Sequence, residues 1–166
     1  MALDGTVLLP EDLEKMQAAI AKLRSDANAR SVFLLDRNGQ HFASSGDTQG
    51  LDITALSSLA AGNVAATDSL AKLLGEQEFS VLFHEGEKDN LHISLIGPKG
   101  ILVVIFDERS SLGLVRLRVR KATGELAKIL EVMQSKKVPG SGSDGEGPDP
   151  FLGEITDEDI NNLFGI

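Results

Sequence analysis

The chain contains no cysteine in its 166 residues, which removes a disulfide framework, a thiolate nucleophile and a zinc–thiolate site together. Long apolar runs are missing as well. The longest wholly apolar stretch is residues 101–106, far below the ~20 residues that a membrane-spanning helix needs. The first residues lack the basic start and apolar run of a secretory signal. No Gly-rich loop ends in Gly-Lys-Ser/Thr, so nothing in the chain is patterned to cradle the phosphates of a nucleotide. Bases are absent from one whole region: from Val138 onward there are seven acids and no lysine or arginine. The other 18 acids face 16 bases in residues 1–137, a net charge of −2 against −9 for the whole chain. A near-neutral body with an acidic tail makes nucleic acid and anionic membrane poor partners. The expectation is a soluble cytoplasmic protein, one domain with an extension.

What the chain does have is small side chains in a helical pattern. Ile53–Leu74 reads ITALSSLAAGNVAATDSLAKLL, and at 3.6 residues per turn it divides into two arcs. Ile53, Leu56, Leu59, Val64, Leu70, Leu73 and Leu74 fall on one arc, whose pattern predicts burial. The other holds Thr54, Ser58, Ala61, Gly62, Ala65, Ser69 and Lys72. A solvated helix face is normally dense in Glu, Lys and Gln, yet only Asp68 and Lys72 carry charge here. Side chains this small let a second backbone approach and keep the surface flat. The reading is a docking helix, one face in its own core and one against a partner. An alanine-rich helix buried on both faces within one chain is the plainer alternative.

Around this helix the chain alternates in a regular order. Pro10-Glu11-Asp12 opens a first helix, with Leu13, Met16, Ile20, Leu23 and Ala27 on one face. Val32 to Leu35, inside Ser31–Asp36, suits a strand buried on both sides. Asn38-Gly39 predicts a type I′ turn with positive φ at both residues, and residues 40–45 form a more polar return strand near an edge. After the docking helix, residues 79–85 and 91–96 read as a second hairpin, and residues 101–106 as a second wholly apolar strand. Serines at the end of 107–111 are fit to cap a last helix, which carries Leu112, Val115, Val119, Ala122, Leu126, Ile129, Leu130 and Met133. The order is α-β-β-α-β-β-β-α. Two strands apolar on both sides require helices on both faces, hence a three-layer α/β/α sandwich around a five-stranded antiparallel sheet.

Past Met133 the composition turns to Gly, Ser, Pro, Lys and Asp. Residues 1–137 are read as the folded domain and 138–153 as a flexible linker with a reach of roughly 20 Å. Residues 154–166 are read as an acidic amphipathic helix. Thr156 and Asp159 resemble a capping box, and Ile160, Leu163 and Phe164 share a face. With Ile155 and Asp159 these are the candidate docking residues of the tail. So short a helix is marginal alone in water and is expected to fold against an apolar groove with a basic rim.

Candidate chemistry is sparse. His84 and His92 are expected to face each other across the second hairpin, which raises a metal site; two imidazoles without a third ligand bind weakly, and a cross-strand pair is preferred. His41 is the third histidine. Arg109, between strand and helix, is weighed as an arginine finger and set down as a solvated or capping side chain. Arg116, Arg118, Arg120 and Lys121 form a basic stretch that is either a solvated face or a cradle for the acidic tail. Asn63 falls on the apolar arc and is expected to bond to nearby backbone. A small-ligand sensor ranks last, because no polar residues converge on a pocket. No cofactor and no metal are expected.

The strings DANARSVFLLDRNGQ, SSLAAGNVAA, LAKLLGE, FHEG, ILVVIFDERSSLGLVRLRVRKA and EITDEDINNLF, in this order, resemble the Roadblock/dynein light chain superfamily and within it the MglB-type bacterial polarity proteins. None is a catalytic signature; their number and order make the resemblance specific. It implies a Roadblock-like fold and a homodimer whose sheets join edge to edge, with the two copies of the Ile53–Leu74 helix side by side. It also implies a partner, a small Ras-like GTPase of the MglA type, engaged preferentially in its GTP-bound form by two copies of the chain. The protein would then be no enzyme but a GTPase activator in cell polarity and motility, cytoplasmic and concentrated at a cell pole. It would donate no arginine finger and would instead move the GTPase's own arginine and glutamine toward the γ-phosphate, where such a group is worth ~10³–10⁵ in rate. By position, Ala65 and Ser69 lie where the family helix meets the GTPase. The tail resembles a helix that contacts the GTPase away from its switch face. A non-activating Roadblock scaffold is the alternative.

Overall fold

The computed structural model describes residues 2–3, 6–7 and 9–135. The linker expected at 138–153 and the helix expected at 154–166, with Ile155, Asp159, Ile160, Leu163 and Phe164, lie outside the described residues. Two short strands that no sequence pattern announced, β1 (Ala2–Leu3) and β2 (Thr6–Val7), pair antiparallel ahead of the first helix.

Helix α1 (Pro10–Asp26) begins with proline where an amide would have no intrahelical partner, and with two acids in its first turn. It leads into β3 (Ser31–Asp36) and β4 (His41–Gly46). Helix α2 (Ile53–Leu74) follows, with the bounds its small-residue pattern predicts. Strands β5 (Val81–His84), β6 (Asn90–Ile96) and β7 (Gly100–Phe106) precede the last helix, α3 (Leu112–Ser135). The Ser111 hydroxyl caps α3 by accepting the Leu114 amide at 3.2 Å.

The five long strands form one sheet in the order β4-β3-β7-β6-β5, antiparallel throughout. β3 and β7 lie inside it and are buried along their whole length. Because side chains alternate along a strand, each sends one set to either face. Val32, Leu34, Leu102, Val104 and Phe106 pack with Met16, Ile20 and Leu23 of α1 and Val115, Val119, Leu126 and Leu130 of α3. Phe33, Leu35, Ile101, Val103 and Ile105 pack with Ala60, Ala61 and Val64 of α2. This is the expected three-layer α/β/α arrangement, and each Leu, Ile or Phe fully buried in it contributes ~1.5–3 kcal/mol.

The β3–β4 turn differs from expectation. Only Gly39 has positive φ, at 85°, and Asn38 does not, so the turn is not type I′. Buried Asp36 organises it instead: its carboxylate accepts the amides of Asn38 and Gln40, each at 2.9 Å, and its carbonyl accepts that of Gly39 at 3.1 Å. An aspartate that closes its own turn removes the need for a left-handed asparagine. Gly39 is required for a second reason. A Cβ there would lie 2.9 Å from the Ser58 Cα, so the turn packs directly on the backbone of α2.

Candidate protein-interaction site

Helix α2 is fixed at both ends by its own sequence. The Asp52 carboxylate accepts the Ala55 amide at 3.0 Å at the start. Gly75, at φ 77°, ends the helix with its amide donating to Lys72 and that of Glu76 donating to Ala71, a Schellman closure. Between these caps the helix has three faces rather than the two expected.

Ser57, Ala60, Ala61, Val64, Thr67 and Ala71 face the sheet and are buried. The expected arc of large apolar residues is therefore wrong in four places: Leu59, Leu70, Leu73 and Leu74 are 73%, 55%, 83% and 70% exposed. The reason is packing distance. Alanines let α2 lie close on the large Phe33, Ile93, Val103 and Ile105 side chains, and the leucines are turned about a third of a circle away. The expected partner face also needs one correction, because Ala61 is only 6% exposed and belongs to the core. Thr54, Ser58, Gly62, Ala65, Ser69 and Lys72 are exposed and form the third face.

Two polar contacts orient these faces. The Arg37 guanidinium binds Asp68 at 2.7 Å and the Pro98 carbonyl at 2.9 Å, joining α2 to the β3–β4 and β6–β7 turns. On the other flank the Asn63 amide meets the His84 ring at 3.2 Å. Asn63 thus finds a β5 side chain, not the backbone partner expected for it. Asn63 adjoins the leucine stripe in the helical projection, so the exposed leucines lie on the β5 side, next to a strand that among the described residues pairs only with β6. Val81, 42% exposed, is in register with Ser94 and so belongs to the opposite face of β5.

Residues 15–106 match the Roadblock/LC7 domain family. The chain belongs to that family, as an MglB-type member. The solved structure of Myxococcus xanthus MglB is 54% identical to it, with a TM-score of 0.73 over 76% of this chain and 96% of that one. The gliding protein MglB from Thermus thermophilus is 35% identical, with a TM-score of 0.72 and the same two coverages. A further MglB, described with a tetrameric arrangement, is 34% identical, with a TM-score of 0.73 over 77% and 96%. Comparison with curated proteins gives no match.

The remaining candidates of this Roadblock chain do not converge on one centre. His84 pairs in register with Leu91, and His92 with Phe83, so the two imidazoles point to opposite faces of the sheet and cannot share a metal. Arg109 grips Asp107 through contacts of 2.9, 3.0 and 3.2 Å. Those hydrogen bonds hold the Asp107 carboxyl below its usual range, and the guanidinium is committed to its own loop. The basic stretch divides. Arg118 and Lys121 turn toward α1 beside Lys22 and Asp26, while Arg116 and Arg120 overlook the β5–β6 hairpin. No helix among the described residues is long and apolar enough to cross a membrane.

Sequence reasoning missed the leucine stripe and the side chains beneath Arg116 and Arg120. Alternation in β6 carried the second signal: Leu91, Ile93 and Leu95 share one face, which places His92 and Ser94 together on the other.

Proposed function

We propose that this Roadblock protein is a homodimeric activator of a small Ras-like GTPase of the MglA type, acting in cell polarity and motility without catalytic residues of its own. The observation that carries the reading is the division of labour on α2. The leucine stripe, contiguous with the open β5 edge, supplies an apolar seam for a second copy, because an unpaired strand edge and exposed leucines are both costly in an isolated protomer. The small-residue face is left for the GTPase. Gly62 supports this role: among the described residues a Cβ at that position would meet no atom within 4 Å beyond its own helix backbone, so no described neighbour requires glycine in mid-helix, where it costs ~1 kcal/mol relative to alanine.

In this reading two α2 helices make a flat, nearly uncharged platform for the switch regions of a GTP-bound partner. Asp68 is already paired with Arg37, so the platform works by shape. The activator presses the switches into place and the GTPase supplies the arginine and glutamine. The acidic residues 154–166 reach a second surface of the same GTPase through the linker at 138–153. The protein is cytoplasmic and gathers where its GTPase does, at a cell pole. The likeness to MglB chains at 34–54% identity supports the assignment.

The test is GTP turnover by the Ras-like GTPase of the same organism, with and without the full chain. Acceleration that saturates at two protomers per GTPase is the expected result. Binding of the GTP form without acceleration would replace the activator reading with a Roadblock scaffold.

A further inference from the structure

On the sheet face opposite α2, a cleft of about 520 Å³ lies between α3 and the β5–β6 hairpin. Its polar lining comes from Ser80, His92, Ser94, Arg116, Arg120 and Thr123, and among the described residues no carboxylate lines it. His92 and Ser94 are 1% and 4% exposed. Neither ring nitrogen of His92 nor the Ser94 hydroxyl has a hydrogen-bond partner. Buried polar atoms in folded proteins are nearly always bonded, so three unmet ones at a single cleft need a reason. Burial, and then the charge of Arg116, hold His92 in its neutral form, in which it still offers one N–H. The lining is therefore rich in donors and free of acids, with two cations one helical turn apart at the rim.

That set matches a phosphoryl group, whose dianion accepts from arginine forks and from neutral donors alike. The volume exceeds that of a bare ion and falls within the ~300–1,000 Å³ of small-molecule pockets. We propose that this cleft binds a small phosphorylated organic ligand, its phosphoryl oxygens held by Arg116, Arg120, Ser94 and His92. The site faces away from α2; its Ser80 and Val81 wall adjoins the β5 edge proposed as the dimer seam, and its ligand is read from the cleft's own side chains, not from the GTPase assignment. It also reverses an expectation from the sequence, where no polar residues converged on a pocket.

The experiment is an NMR titration of the full chain, following the His92 ring and Arg116 side-chain signals, with inorganic phosphate, glycerol 3-phosphate and acetate as probes. The expected result is a saturable shift with both phosphate probes, tighter for glycerol 3-phosphate, and none with acetate. The R116Q/R120Q double variant, whose side chains are exposed, is expected to keep its fold and weaken binding at least ~10-fold. R118Q, directed at α1, is expected to leave it unchanged. Absence of a saturable shift, equal affinity for phosphate and its ester, or full binding by the double variant would each overturn the proposal. A D157N/E158Q/D159N variant of the full chain covers the remaining occupant. Unchanged His92 signals without added ligand are expected, and a shift there would identify the acidic tail as the occupant and overturn the small-ligand assignment.

Discussion

Arg37 binds Asp68 at 2.7 Å and, with the same guanidinium, the Pro98 carbonyl at 2.9 Å. One side chain on the β3–β4 turn therefore fixes α2 to two turns at one end of the sheet. Both partners of the ion pair are about one-third exposed, so the pair alone is worth ~0.2–1 kcal/mol, and the bond to the carbonyl adds ~0.5–1.5 kcal/mol. Arg37→Ala is expected to lower the melting temperature more than Asp68→Ala, and the double variant to match Arg37→Ala alone. Strict additivity in a thermal double-mutant cycle would show that the two side chains are not coupled.

The leucine stripe makes a prediction about assembly. Leu70→Glu or Leu73→Glu places a charge where the proposed seam would exclude water, and a buried unpaired carboxylate costs several kcal/mol. Sedimentation of either variant is expected to give a monomer, with the helical circular dichroism retained, because both leucines are more than half exposed in the protomer. A variant that remains dimeric would place the seam elsewhere.

Much of this architecture was legible before any coordinates. Runs such as Val32 to Leu35 leave no polar residue to face water, so β3 had to be central, and helices had to lie on both sides of it. The faces of α2 were harder, because hydrophobicity ranks leucine above alanine whereas close packing on a sheet of bulky residues prefers alanine. The pattern identified the helix but turned its buried side toward the wrong residues. The same competition explains the β3–β4 turn. Asn38-Gly39 has the composition of a type I′ pair, but the Asp36 carboxylate, one residue upstream of the loop, sets a different closure. His92 and Ser94 were visible as an alternating pair on β6, yet only the crossing of α3 brings Arg116 and Arg120 over them.

The corrected faces separate two substitutions of neighbouring type on one helix. Ala65→Arg adds a long cation to the exposed small-residue face and is expected to abolish GTPase binding while leaving stability and dimerisation unchanged. Ala61→Arg forces the same group into a core position that is 6% exposed, and is expected to cost several kcal/mol and reduce soluble folded protein. Isothermal titration and thermal melts of the two variants make the comparison. Retained GTPase binding by the folded Ala65→Arg protein would remove the platform from α2.

Two histidines give the stability of the fold a defined dependence on pH. His92 titrates below its ordinary value of 6.5 because of burial and then the charge of Arg116, and His41 does so because of burial. Both are neutral in the folded chain near pH 7, whereas the unfolded chain takes up protons at these sites as the pH falls through 6.5. More protons are then bound by the unfolded state, so acidification favours unfolding. The contribution of each is fully present above 6.5, declines between 6.5 and the lowered folded value, and changes no further below it. Within that window one histidine sets a slope of at most about 1.4 kcal/mol per pH unit. Urea unfolding at pH 7.5, 6.0 and 5.0 is expected to show falling stability, and His92→Gln to flatten the curve by up to one proton. A slope that is identical in His92→Gln would mean that His92 takes up its proton as readily in the folded sheet as in the unfolded chain.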